Sequence, residues 1–322
     1  MTRLTTMLLA AAALAVAAPA GAQEWPARPI HIIVGAGVGG GTDIVTRIIA
    51  QPLSELLGQP VVVENKQGAG NIIAASALVK APKDGYTAYM MNNSHGVVAT
   101  LFKNLPYDSV NDFAMVSLTG IAGLVLVTSP SFPANDVEGI IAAAKAAPGK
   151  YNFASPGVGT TQHFSGELFR QLAGVDIKHV PYRSTPAAIT GLLANEVQLT
   201  FELVQPVLGQ IGAGTLRAIA VTSPQRHPAL PQVPTVMESG LPEFQVMSWY
   251  GLAVPAGTPR PIIDKMNKAL HEVLGRAEVR KQLVDVGATA ATSTPEELRQ
   301  HIVNEIAKWS AVREKAGIPQ RE

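Results

Sequence analysis

The stretch Ile30 to Asp43, IHIIVGAGVGGGTD, cannot be a continuous strand or a continuous helix, and this constrains the fold more than any other feature of the chain. Ile32, Ile33 and Val34, with His31 alternating, read as a short buried strand, and the five glycines between Gly35 and Gly41 end it. Thr42 and Asp43 supply caps for a helix whose apolar positions Ile44, Val45, Ile48, Ile49 and Leu53 recur at helical spacing. A strand, a glycine loop and a helix in that order present bare backbone N–H groups at a positive helix end, which suits an anion.

The loop alone leaves two anions open. Gly35, Gly37 and Gly40 satisfy G-x-G-x-x-G, and Glu64 closes the next strand, VVVE, where a dinucleotide-binding unit places its ribose-binding acid. A smaller anion would use the same backbone groups without Glu64.

The design recurs along the chain. Val61–Glu64 reads as a strand, Ile72–Val79 as a helix and Tyr86–Met91 as a strand, with the loop Asn92–Gly96 at its carboxyl end, where such sheets bind ligands. Met115–Leu118 resembles a strand, and a second alternating unit begins near Leu124. There Tyr151–Ser155 leads into a glycine loop and a helix starting near Thr160 and Thr161. Ser184, Thr185 and Pro186 open a shorter helix, Val197–Phe201 is a further strand ending at Glu202, and Leu216–Ser223 is another. After an extended run holding Trp249 and Tyr250 come helices near Pro261–Leu274, Ala277–Val286 and Pro295–Ala316.

Composition narrows the function classes. The 25 Lys and Arg are balanced by 24 Asp and Glu and are scattered, so nothing suggests nucleic acid. The chain has no cysteine, which removes disulfides and thiolate chemistry. Its seven His form no H-E-x-x-H, no G-x-S-x-G occurs, and no metal, cofactor or catalytic residue is expected. Arg3, the apolar run Leu8–Ala18 and the A-x-A of Ala20 and Ala22 read as a signal peptide over 1–22, giving an exported, periplasmic protein.

These units predict an α/β fold of two lobes, each a doubly wound sheet, joined by two crossover strands near Gly120–Leu124 and Gln245–Leu252. Residues 23–122 plus 250–322 form one lobe and 123–249 the other, with the ligand cleft between them. A carboxylate there needs hydrogen-bond donors. Backbone N–H groups of Ala36, Gly37, Val38, Gly40, Gly41, Gly159, Thr160 and Thr161 can supply them, as can the hydroxyls of Thr42, Ser155, Thr160 and Thr161. Thr42 is a contact or a cap, Asn93 and Ser94 sit at a strand end, and His163 either donates or braces the loop. Ser184 and Thr185 point at the cleft or only cap their helix, and Phe201 and Trp249 form an apolar wall or core. Asp43 stabilises its helix end, Arg183 is a counter-charge or a surface residue, and Glu202 would repel an acid unless protonated or paired with an amine.

The segments WPARPIHIIV, GGGTD, LGQPVVVENKQGAG, KDGYTAYM, LPYDSVNDF, ASPGVGTTQHFSGELF, HVPYRSTPAA, LRAIAVTS, LPQVPTVMESGLP, WYGLAVPAGTP and KWSAVREKAGI resemble, in order, the substrate-binding proteins of tripartite tricarboxylate transporters, the Bug family. The resemblance implies a periplasmic two-lobed receptor that binds a small carboxylate and delivers it to membrane permease subunits. A di- or tricarboxylate is the expected ligand, a monomer is expected because its rims must meet a membrane partner, and the closed shape serves docking on a sensor kinase equally well. The resemblance also implies that the first loop and the loop near Ser155 hold a ligand carboxylate. Where the family reads Pro-Phe-Ala-Pro, this chain has Gly35, Ala36, Gly37 and Val38. The expectation is a roomier loop that admits a bulkier acid, including an aromatic one.

Overall fold

The computed structural model describes residues 24–322, so the expected signal peptide lies outside the described residues. Strands and helices alternate through the first half as β1 (Ile30–Val34), α1 (Gly41–Leu57), β2 (Val61–Asn65), α2 (Ile72–Val79), β3 (Thr87–Asn92) and α3 (Asn93–Leu101). The long β4 (Phe113–Thr128) leads to α4 (Val137–Ala146), β5 (Asn152–Ser155), α5 (Thr161–Ala173), β6 (Lys178–Pro181), α6 (Thr185–Leu193), β7 (Leu199–Leu203), α7 (Val204–Gly212) and β8 (Arg217–Val221). The chain closes with β9 (Met247–Pro255), α8 (Arg260–Gly275), α9 (Ala277–Asp285) and α10 (Pro295–Lys315).

The strand order is β2-β1-β3-β9-β4-β7-β5-β6, with β8 also on β4. β1 pairs in parallel with β2 and β3, and β9 is antiparallel to both β3 and β4. In the other half β5 is parallel to β6 and β7, while β7 and β8 run antiparallel to β4. One strand therefore belongs to two sheets: Phe113 to Gly123 pairs with β9, and Leu124 to Thr128 lies between β7 and β8. The two strands expected at Met115–Leu118 and from Leu124 are this single 16-residue strand. Gly120 does not break it because β9 pairs across it and a register shift absorbs the irregularity.

Helices cover both faces of each sheet, as doubly wound sheets require. Ile32, Val45 and Leu270 belong to the buried cluster under α1 and α8, and Tyr89, Trp249 and Leu298 to the one on the opposite face. Phe153, Phe169 and Phe201 sit in one cluster of the other sheet, and Val125, Ala188 and Val207 in its counterpart. The stretch Asn92–Gly96, expected as a loop, is the start of α3. The Asn92 side chain accepts from the Ser94 amide as an N-cap, and Val97 and Leu101 are buried behind it.

Candidate ligand-binding site

Two adjoining cavities lie where β1, β3 and β9 meet β5 and β7. They share Gly41, Leu203 and Tyr250 as a common wall, and their volumes are about 180 and 520 Å³. Apart from Val286 and Gly287, which follow α9, the lining loops follow strands and open helices, so helix N-termini converge on the cleft. The smaller compartment takes Gly41 and Thr42 from α1, Asn93 and Ser94 from α3, and Thr161 and Gln162 from α5. First-turn residues of three helices line one small volume; the Asn92 and Thr160 caps take one amide each of α3 and α5, and α1 has no side-chain cap.

The hydroxyls there are held by a polar chain. Asn71 Nδ2 donates to Asn92 Oδ1 at 2.8 Å, and Asn92 Nδ2 donates to Thr42 Oγ1 at 2.8 Å. Thr42 accepts in that bond, which leaves its O–H free to donate into the compartment. Asn93 is anchored to β9: its Nδ2 donates to the Met247 carbonyl and its Oδ1 accepts from the Trp249 amide at 2.7 Å. Burial pushes the Tyr250 phenol up to about 12, so it remains a neutral hydroxyl. Among the described residues lining the two compartments there is no Lys, Arg or His.

The first loop is braced from behind by Asp43, which is buried and accepts from the Gly39 amide at 2.9 Å, from Asn65 Nδ2 at 2.9 Å and from Arg47 Nε at 3.0 Å. Burial raises the Asp43 pKa, but these partners outweigh it and hold the carboxyl below its ordinary value. Gly35 is fixed for a different reason: a Cβ there would run into the Asn71 side chain. The second loop rests on two stacked imidazoles, His163 and His179, with ring centroids 3.9 Å apart. Burial lowers His163 to about 3, helped by His179, Arg170 and Arg321, and burial lowers His179 to about 4. Both rings are neutral near pH 7.

Several expected contacts lie elsewhere. Gly37, Val38, Gly40, Gly41, Thr42, Asn93, Ser94, Thr160, Thr161, Ser184 and Thr185 line the compartments. Ala36 lines neither; its methyl packs against the core near α1 and its carbonyl accepts from Asn65, so room for a bulky acid does not come from residue 36. Ser155 is fully buried with Oγ 2.6 Å from His179 Nε2, and serves the loop. Gly159 turns with φ +87 against Leu101 and donates its amide to His163 Nδ1, so both Gly159 and His163 are braces. The Thr160 hydroxyl is used twice within the loop: it donates to the Gly157 carbonyl and accepts from the His163 amide as the α5 cap. Phe201 stacks on Phe244 in the core, and Trp249 is buried with Nε1 donating to Glu305. Arg183 is exposed and lines neither compartment, and Glu64 faces His31 at 2.6 Å outside the cleft.

Two lining residues outside the expected contact set, Tyr250 and Glu202, the latter expected only as a repelling or amine-pairing carboxyl, are strand neighbours of residues in it. Tyr250 and Glu202 line the site where Trp249 and Phe201 were expected, because successive side chains on a strand point to opposite faces. Gln162, Ser248, Leu203 and Gln205 also line it. The Gln162 amide is oriented by Glu202, whose Oε1 accepts from Gln162 Nε2 at 2.8 Å and from the Leu203 amide at 2.9 Å. Glu202 is fully buried, and burial raises its pKa despite those bonds and the nearby Thr185 hydroxyl. Among the described residues no group of three His, Cys, Asp or Glu gathers to hold a metal, and no helix is long and apolar enough to cross a membrane.

The chain matches known proteins over nearly all its length. Residues 45–318 match the tripartite tricarboxylate transporter family receptor. Protein BugT of Bordetella pertussis is 37% identical over 320 residues, covering 98% of each chain. Among solved structures, R. palustris Rpa4515 with adipate has a TM-score of 0.84 at 32% identity, over 92% of this chain and 100% of that one. MatC from Rhodopseudomonas palustris with bound malate has a TM-score of 0.78 at 32% identity, over 89% of this chain and 99% of that one. The two-lobed fold, the cleft ringed by helix N-termini and these matches agree, and the chain belongs to the tripartite tricarboxylate transporter receptor family, the family of the Bug proteins.

Proposed function

We propose that this protein is a periplasmic solute receptor that captures a small carboxylate between its lobes and delivers it to the membrane permease of a tripartite tricarboxylate transporter. The observation that carries the reading is the convergence of the α1, α3 and α5 N-termini on the smaller compartment, with no cation beside them. Aligned helix dipoles and first-turn amides attract an anion without a salt bridge. Thr42, Asn93, Ser94, Thr161 and Gln162 would hold the carboxylate oxygens, which are left underpaired by any site lacking such donors. The structural neighbours named with adipate and malate support a carboxylate as the class of ligand.

Capture requires the lobes, 23–122 plus 250–322 and 123–249, to close about the paired segments of β4 and β9. Any partner that prefers the closed shape then senses the ligand. An enzymatic reading would need a nucleophile paired with a base in the cleft, and among the described residues the serine hydroxyl that meets a histidine, Ser155, is buried behind the second loop. The test is thermal denaturation of the mature protein with mono-, di- and tricarboxylates, aliphatic and aromatic, and with NAD(H) as control. A carboxylate at about 100 times its dissociation constant stabilises by about 2.7 kcal/mol, which raises the melting temperature measurably. A rise with NAD(H) alone would overturn the reading.

A further inference from the structure

The two compartments differ in chemistry. The smaller is rimmed by hydroxyls and amides, whereas Ile44, Ala122, Leu203, Pro206 and Val286 wall the larger. No Lys, Arg or His lines the larger one, so a second carboxylate placed there meets no counter-charge. Of the helix starts that face it, α6 is capped by Ser184, which accepts from the Ala187 amide, whereas α1 and α7 have no side-chain cap; beside the α7 start Glu202 accepts from the Leu203 amide and sets a carboxyl that repels a second one. Glu202 is the one carboxyl in that lining. Its Oε1 carries two hydrogen bonds, while its Oε2 is buried without a partner among the described residues. A buried acceptor left unpaired is costly, and a donor brought by a ligand removes that cost.

Resting on the receptor reading above, we propose that the larger compartment takes the far end of the bound acid, and that this end is an apolar chain tipped by a hydrogen-bond donor, an ammonium or a hydroxyl, which Glu202 Oε2 accepts. The ligand is then a monocarboxylate with a donor at its other end, unlike adipate and malate, which carry a carboxylate at both. The Gln162 amide, oriented by the same carboxyl, links the two ends of the site.

Three acids of equal chain length test this by calorimetry: ε-aminocaproate, caproate and adipate. In the wild-type protein ε-aminocaproate should bind about tenfold more tightly than adipate, the scale of one charge-assisted hydrogen bond. Glu202→Gln keeps an oxygen for Gln162 and Leu203 but sets an amide donor where Oε2 stood, and should reverse the order. Adipate binding tightest to the wild type, or an order that survives Glu202→Gln, overturns the inference and leaves the carboxylate receptor standing. Should the variant fail to fold, the wild-type ranking alone decides. Silence from these three and from the whole carboxylate panel overturns both readings.

Discussion

Thr42 shows how one side chain can belong to the fold and to the site at once. Its carbonyl accepts from Thr46 Oγ1 within α1, and its own Oγ1 accepts from Asn92, so its free O–H is the part left for a ligand. Thr42→Val keeps the shape and removes that donor. Affinity for the bound carboxylate should fall about tenfold in a calorimetric titration. The buried imidazoles set a pH dependence of the opposite kind from a surface histidine. His95, His163 and His179 are held at about 4, 3 and 4, against 6.5 when unfolded, chiefly by burial. Their contribution is complete above pH 6.5, where both states are neutral. It is lost as the pH falls from 6.5 toward 4, because only the unfolded chain then binds the protons. The melting temperature should drop over that interval, and His179→Gln should flatten the drop.

At the scale of elements, α5 has to lie close on β5 to aim its N-terminus at the smaller compartment. Gly166 makes the approach possible: a Cβ there would fall inside the ring of Phe153, which is fully buried and has nowhere to go. Gly166→Ala should therefore cost about 1–3 kcal/mol by overpacking, read as a lower urea midpoint with an unchanged slope. A neutral substitution would mean that α5 can slide, and the position of Thr161 and Gln162 would then not be fixed by this contact.

For the whole molecule the linking element is α10. Leu298 and Ile302 near its start are buried with the first sheet, while Trp309 and Val312, about two and three turns beyond Ile302, are buried with the second. Trp309 meets Phe164 of α5 edge to face at 5.4 Å, and its Nε1 donates to Glu305, which also takes the Trp249 Nε1 of β9. Trp309→Ala removes a large buried ring from this junction and should destabilise by about 3–5 kcal/mol in urea unfolding. A loss well below 1 kcal/mol would show that the junction collapses around the missing ring without strain, which buried aromatics rarely allow.

What the sequence determined by itself was local. The glycines that end β1, the hydroxyl caps of α5 and α6, and the apolar spacing of α1 and α8 are short-range rules, and the elements fall where those rules put them. Much of the candidate site was legible for the same reason, since a loop between a strand and a helix N-terminus lines a cleft whichever lobe it comes from. Tertiary structure decided what no local rule contains. Alternation along a strand puts two neighbours on opposite faces, but only the pairing of β9 with β3 and β4, and of β7 with β4 and β5, says which face meets the cleft. Tyr250 and Glu202 therefore replaced Trp249 and Phe201. Ser155 and Gly159 likewise read as contacts, and His163 as a contact or a brace; the fold stacks His179, distant in sequence, on His163, and the two imidazoles take the Ser155 hydroxyl and the Gly159 amide.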